Sequence, residues 1–301
     1  MLDVLYKIAN KQIDNKLEKF DFVVAHVNHL IRKEAKEDEE YVKRFCEEKQ
    51  IKFYCKSIDV LKLANNNKIG TEEAGRLARY QFFEEVMKET GSHKIAVAHN
   101  KNDNVETIMM HFIRGSGTIG LKGMEAKREN LIRPLIDCQR YEIEEYCEQK
   151  GLNPRIDKTN FDNIYTRNKI RNVVIPYLQQ EFNPNIIETI DRLAKLVKVE
   201  EDYIDKQVQD VYQQIVVKEK KEFGQIILNL KKFNQQEKVI KARIILYTIT
   251  RLFGNSCGIE KIHIEDIVKL CENNIGNKFL TPNKKIKVLV KNHQIYFISQ
   301  I

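Results

Sequence analysis

A chain of 301 residues, 42% apolar and 31% charged with 12 Gly and 5 Pro, has room for two domains and is neither collagen-like, Pro-rich nor disordered. No apolar run reaches the roughly 18 residues of a membrane span, Met1-Leu2-Asp3-Val4 lacks the basic region of a signal peptide, and six scattered cysteines form no C-x-x-C pair, so the chain reads as cytoplasmic. The net charge of +8 lies in the second half: residues 1–150 carry 26 Lys+Arg against 26 Asp+Glu, and 151–301 carry 25 against 17, which suits a polyanionic partner or general lysine richness.

Leu2, Leu5, Ile8, Ala9 and Ile13 recur at helical spacing, and the apolar run from Phe20 to Val27 reads as a buried strand. Residues 34–49 predict a charged helix with Tyr41, Val42, Phe45 and Cys46 as its buried stripe. Residues 51–55 predict a second strand, and a helix opens at Thr71 and runs to about residue 89. A third strand covers 94–99. Asn102 or Asp103 caps the next helix, which runs to Arg114 and stops at the flexible Gly115-Ser116-Gly117. A short extended piece at 131–135 precedes a helix from about Arg140 to Lys150.

This alternation predicts an α/β fold, an open parallel sheet of Rossmann-like type with helices on both faces. Ligands of such sheets sit at the carboxyl ends of the strands, where His26-Val27-Asn28-His29 and His99-Asn100 fall. Residues 151–163 read as a polar loop. A helix with Arg167, Asn168 and Arg171 follows and stops near Pro176; a long helix then runs from Pro184 to about Val217. Strands at 226–230, 286–290 and 294–301 with helices at about 235–253 and 260–274 complete a helical/α+β unit. The expected domains are a catalytic domain at 1–180 and a basic domain at 181–301.

The strongest chemical signal runs from Ala98 to Thr107. A strand ends at His99, and a helix then presents Asp103 and Glu106 at i and i+3 on one face. That cluster suits Mg²⁺-phosphate coordination or base chemistry, or else a capping box beside an ordinary strand-end histidine. Arg76 with Arg79, Arg114-Gly115-Ser116-Gly117, Arg133-Pro134-Leu135 and Arg167-Asn168-Lys169-Ile170-Arg171 are each weak singly. His26 and His29 do not convince as a metal pair, because i and i+3 on a strand face opposite ways.

Taken in order, His26-Val27-Asn28-His29, Glu72…Arg76…Arg79-Tyr80, His99…Asp103…Glu106-Thr107, Arg114-Gly115-Ser116-Gly117…Gly120-Leu121…Gly123-Met124, Arg133-Pro134-Leu135 and Asp157…Asn160…Arg167-Asn168…Arg171…Pro176 resemble the tRNA(Ile)-lysidine synthetases, a branch of the PP-loop or N-type ATP pyrophosphatases, over about residues 1–190. The resemblance implies ATP and Mg²⁺ as cofactors and free lysine and a CAU-anticodon isoleucine tRNA as partners. It implies adenylation of the wobble cytidine's ring carbonyl, attack by lysine's ε-amine, departure of AMP and formation of lysidine. By that pattern His99, Asp103, Glu106 and Arg76 would be catalytic, with the roles of the first three undivided and Asp103 the candidate Mg²⁺ ligand. His26, Asn28 and His29 would border the nucleotide pocket, and Arg114, Arg133, Arg167 and Arg171 would face tRNA. Oligomeric state stays open, a homodimer among the options.

The departures are specific. The family's S-G-G-x-D-S phosphate turn is absent from the 301 residues, Asn102 stands where an acid is usual, and Asn104 replaces a common Gln. A helix signal begins at residue 1 with no strand before it. The expectation is an N-terminally truncated synthetase, lacking its first strand and phosphate loop, that does not turn over unaided. The alternatives are a non-catalytic tRNA-binding remnant or a tRNA-thiolating PP-loop enzyme, the latter disfavoured by the cysteine spacing.

Overall fold

In the computed structural model, which describes residues 1–11, 20–31, 34–155, 162–220, 222, 224–256, 258–273 and 278–300, the chain divides into two units, Met1–Lys195 and Leu196–Ile301. Ile13, Asp157 and Asn160, and Cys257 among the six cysteines, lie outside the described residues.

The first unit runs α1 (Leu2–Ala9), β1 (Val24–Asn28), α2 (Ala35–Glu48), β2 (Phe53–Ser57), α3 (Val60–Asn67), α4 (Thr71–Thr90), β3 (Ile95–Ala96), α5 (Lys101–Ile113), α6 (Gly117–Leu121), β4 (Lys127–Arg128), β5 (Leu131–Ile132), α7 (Arg140–Gln149), α8 (Thr166–Lys169), a π turn (Ile170–Val174), α9 (Ile175–Glu181) and the start of α10 (Ile186–Ile215). The expected parallel pairing is present. β1 and β2 run parallel from Val24 opposite Phe53 to Asn28 opposite Ser57, and β3 runs parallel to β5, with β4 antiparallel on its other side. Among the described residues these remain two separate ladders. Helix α4 touches both β1 and β3, and its Phe82 and Val86 share a core with Val27.

Three local expectations are corrected. Helix α5 is capped by Asn100, not by Asn102 or Asp103. Asn100 Oδ1 accepts the Asp103 N–H at 3.0 Å, and Asp103 Oδ2 accepts the Asn100 N–H at 3.0 Å. The strand ends at Ala96 rather than His99, so the helix starts earlier. Second, Gly117–Leu121 is a helix rather than a loop; a Cβ on Gly120 would meet the Cβ atoms of Ser116 and His111 at 2.6 and 3.0 Å, so only glycine lets this turn close on α5. Third, Pro176 does not end its helix. It occupies the first turn of α9, directly after the π turn, where the widened register spares the N–H it lacks.

The second unit holds the rest of α10, then β6 (Val216–Lys220), β7 (Gln225–Asn229), α11 (Leu230–Asn234), α12 (Lys238–Phe253), α13 (Lys261–Glu272), β8 (Lys278–Asn283), β9 (Ile286–Lys291) and β10 (Gln294–Ser299). Its antiparallel sheet has the order β6-β7-β10-β9-β8. The period of two in β9 turns Ile286, Val288 and Val290 inward, and β10 adds Ile295 and Phe297. These side chains bury Ile244, Ile245 and Ile249 of α12 and Ile267 of α13. β6 and β8 are strands the sequence reading omits. Among the described residues no helix is long and apolar enough to cross a membrane.

Candidate active site

The carboxyl end of β1 is closed by its own side chains. Buried Asn28 donates from Nδ2 to Glu39 Oε2 at 3.0 Å and accepts the Leu30 N–H at 3.1 Å. His26 lies against the Phe53 ring at 6.4 Å, and burial pushes its pKa below the usual histidine value. The His29 ring packs over Gly75, where an added Cβ would make ordinary van der Waals contact with it at 3.5 Å.

Helix α5 carries the densest charge arrangement of the first unit. Its capping box fixes Asp103 at the first turn, and Glu106, one turn on, has its side chain 1% exposed. Burying that carboxylate alone would be costly. Two arginines from the α8–π segment meet it. Arg167 donates from Nε to Glu106 Oε2 at 2.8 Å and from Nη2 to Asp103 Oδ1 at 3.1 Å. Arg171 donates from Nε to Glu106 Oε1 at 2.6 Å and from Nη2 to Asp103 Oδ1 and Glu106 Oε2, both at 2.9 Å. Burial disfavours the Arg171 cation, but the hydrogen bonds and charge of Glu106 and the charge of Asp103 outweigh it and raise its pKa. The local fold supports this grip. Ile170 and Ile175, five residues apart, both enter the core with Val105 and Ile187; five residues return to one face only across a widened turn of about 4.4 residues.

His99 stands beside this cluster. Burial is the main cause of a pKa pushed down to about 4; Asp103 opposes the shift, while Arg133, Arg167 and Arg79 reinforce it. Its Nδ1 is buried without a hydrogen-bond partner among the described residues, and so is Nε of Arg133. Arg133 Nη1 donates to the Glu125 carbonyl at 2.6 Å. That carbonyl is positioned by a latch, because Asn104 Oδ1 accepts the neighbouring Met124 N–H at 2.6 Å. Gly123 makes the latch possible: its φ is +69°, and a Cβ there would fall within van der Waals contact of Asn104 Oδ1.

The helix bearing these groups is anchored at its start. Lys101 Nζ donates to Glu188 Oε1 at 2.7 Å, and Asn102 Oδ1 accepts the Arg140 N–H at 2.9 Å. Of the residues singled out from sequence, His99, Asp103, Glu106, Arg133, Arg167 and Arg171 thus come together. Arg167 and Arg171, expected to face tRNA, hold the carboxylates, and Arg133 is buried. Arg114 is exposed at the end of α5, and Arg76 is exposed with its guanidinium 5.7 Å from the Tyr80 ring centre. Arg79 and Asn104 were not among the candidates. Both Arg76 and Arg79 are exposed on α4, and Arg79 is the one whose charge bears on His99, a distinction that residue type alone does not make.

Within this group the acceptor left without a partner among the described residues is His99 Nδ1; a cationic amine reaches the two carboxylates only by displacing arginine hydrogen bonds, while Arg79 and Arg133 add positive charge beside them. For a resident Mg²⁺ the group does not fit. Among the described residues no three His, Cys, Asp or Glu side chains gather as a metal site, and Asp103 already has two guanidinium groups as countercharge.

A model of the PP-loop domain matches residues 1–178. The tRNA(Ile)-lysidine synthase of Clostridioides difficile (strain 630) is 42% identical over 292 residues, covering 95% of this chain and 63% of that protein. The tRNA(Ile)-lysidine synthase of Clostridium tetani (strain Massachusetts / E88) is 41% identical over 291 residues, covering 96% and 60%. The chain therefore spans about three-fifths of the length of these relatives. The solved U34-tRNA thiolase NcsA from Methanococcus maripaludis with its [4Fe-4S] cluster matches with a TM-score of 0.51 over 65% of this chain and 68% of that one, at 18% identity, a likeness of fold alone.

Proposed function

We propose, from the premise that the chain belongs to the PP-loop domain family, that its residues serve ATP-dependent ligation of lysine to the wobble cytidine of a CAU-anticodon isoleucine tRNA. Family membership implies ATP use. The observation that carries the finer reading is the similarity to tRNA(Ile)-lysidine synthases, which runs through both units at about 40% identity. The unequal charge supports a polyanionic partner: the first unit holds 33 Lys and Arg against 31 Asp and Glu, the second 18 against 12.

When bound, ATP supplies the nucleotidyl group that turns the ring carbonyl oxygen into a leaving group. The 301 residues hold no S-G-G-x-D-S turn to cradle its phosphates. What these residues do is handle the amine. A lysine ammonium needs acceptors to orient it and to take its proton before the ε-nitrogen can attack. His99 is neutral near pH 7, so its buried nitrogen accepts a hydrogen bond from the ammonium without repelling it. Asp103 and Glu106 supply the negative field, and the amine reaches them by replacing arginine hydrogen bonds rather than water. Arg79 and Arg133 would supply positive charge for the anionic phosphates of a bound nucleotide.

The test incubates the protein with CAU-anticodon tRNA, ATP, Mg²⁺ and radiolabelled lysine, alongside filter retention of the tRNA. Retention of this tRNA over one with a different anticodon is expected. Because the phosphate turn is not among the 301 residues, this chain alone is expected to retain tRNA without incorporating lysine. Robust incorporation overturns the expected inactivity, and equal retention of both tRNAs overturns the substrate reading.

A further inference from the structure

The segment that grips the acidic pair has a second face. The sixteen residues of α8, the π turn and α9 run continuously from Thr166 to Glu181. Arg167, Ile170, Arg171 and Ile175 turn inward. Outward, at intervals of four, lie Tyr165, Lys169, Val173 and Tyr177, with Phe182 packed edge-on against Tyr177 at 5.9 Å. Tyr165 is 44% exposed, Val173 51%, Tyr177 58% and Phe182 71%. Four residues fall short of one turn of a widened helix and overshoot a regular one, so the π turn keeps this row in line. Scattered exposed apolar residues are ordinary on a protein surface, but a row of rings on one short segment is not.

The charge along this segment names the partner. From Asn163 to Gln180 the chain has no Asp or Glu and carries Arg167, Lys169 and Arg171. Two of these cations are held inward by Asp103 and Glu106, leaving Lys169 exposed within the row, with Glu181 the first acid beyond it. Aromatic faces interleaved with a cation are what unpaired nucleobases need: the rings stack on base faces and the ammonium meets the backbone phosphate. Base-paired RNA keeps its bases stacked inside and offers such rings nothing.

We propose that Tyr165, Lys169, Tyr177 and Phe182 form a stacking platform for unpaired nucleotides of a single-stranded RNA loop, on the outer face of the helix whose inner face holds Asp103 and Glu106. The platform deepens the tRNA reading above and rests on it. It gives the site a way to select a loop nucleotide over a stem.

The chain contains no tryptophan, so Tyr177→Trp creates a single fluorophore within the row. Tyr141→Trp, at a ring 60% exposed on α7, serves as the control. Each is titrated with a CAU-anticodon stem-loop RNA and with a fully paired RNA of equal length. The expected result is quenching of Tyr177→Trp by the stem-loop alone and little change at Tyr141→Trp. Tyr177→Ala and Phe182→Ala should each weaken stem-loop binding on the order of tenfold, the usual cost of one lost base stack, while Tyr177→Phe stays within about twofold of the parent because the ring face remains. Absence of quenching, equal quenching by paired RNA, or full affinity in Tyr177→Ala overturns the platform. Quenching that appears only with a protein partner and never with RNA overturns it too. Intact quenching without cognate preference or lysine chemistry leaves the platform standing and sinks the ligation reading instead.

Discussion

His99 is a histidine whose surroundings forbid its charge. Its pKa of about 4 in the folded chain lies below the ordinary value of about 6.5. Between those two values the unfolded chain binds the extra proton, so stability rises with pH through this window and is lost as pH falls from about 6.5 to about 4. His26, lowered by burial as well, acts in the same direction. Urea unfolding of the parent is expected to show a steep loss of stability over this range, and His99→Gln, which cannot titrate, a shallower one. Equal slopes in the two proteins would mean that the burial of His99 is relieved in solution. Gly123 holds the Asn104–Met124 hydrogen bond in a left-handed backbone conformation. Gly123→Ala must tolerate a φ of +69° and displace Asn104 from the Met124 N–H. The expected cost is about 2–3 kcal/mol in chemical denaturation, with Asn104→Ala costing less, because it loses the hydrogen bond without adding strain.

Between elements, the tie from α5 to the α8–π segment is a four-membered ion cluster with one nearly dry carboxylate. Removing one partner of a buried pair strands the other, at about 3–5 kcal/mol. Arg171→Met is therefore expected to destabilise the first unit strongly, and Glu106→Gln combined with Arg171→Met less than the sum of the two single changes; additive effects in that double-mutant cycle would show that the two side chains do not interact. The π turn makes its own prediction. Deleting Val173 shortens the step from Ile170 to Ile175 to four residues, the spacing at which a regular helix keeps both on one face. Thermal melts should show this deletion to be milder than removal of one residue from the middle of α12, where every following core contact rotates by about 100°. Helices α2, α4, α7 and α10 are legible in the sequence to within a few residues. Pro176 reads as a stop because proline usually breaks helices, and only the register change next to it makes it harmless. The two-residue β3 reads as six because Ile95, Ala96, Val97 and Ala98 look like a buried strand, whereas pairing requires a partner over the same length. At the site, His99, Asp103 and Glu106 stand out by type and spacing. Arg167 and Arg171 are equally visible as residues, but that they serve the carboxylates is a long-range contact, 61 to 68 residues away in sequence, which no local pattern encodes.

For the proposed polyanionic partner, charge and apolar surface would divide the labour of recognition across the molecule. The first unit is nearly neutral, and Arg167 and Arg171 are spent on Asp103 and Glu106, which leaves Lys169 beside the rings; the second carries an excess of six. A contact to phosphate gains its free energy by releasing counterions, while a stacked base does so by covering apolar surface, so salt separates the two. Lys284 and Lys285, exposed side by side in the turn between β8 and β9, test the electrostatic share. For the proposed tRNA partner, filter binding across a KCl series should give a plot of log affinity against log salt that falls steeply for the parent. If both lysines meet phosphates, Lys284→Glu with Lys285→Glu flattens it by roughly 1.4–1.8 in slope. Their loss should leave the saturating quench at Tyr177→Trp intact, since fewer complexes form but each stacks alike. A slope unchanged by the double substitution would place the phosphate contacts on other lysines of the unit, and a reduced quench at saturation would contradict the independence of stacking from charge.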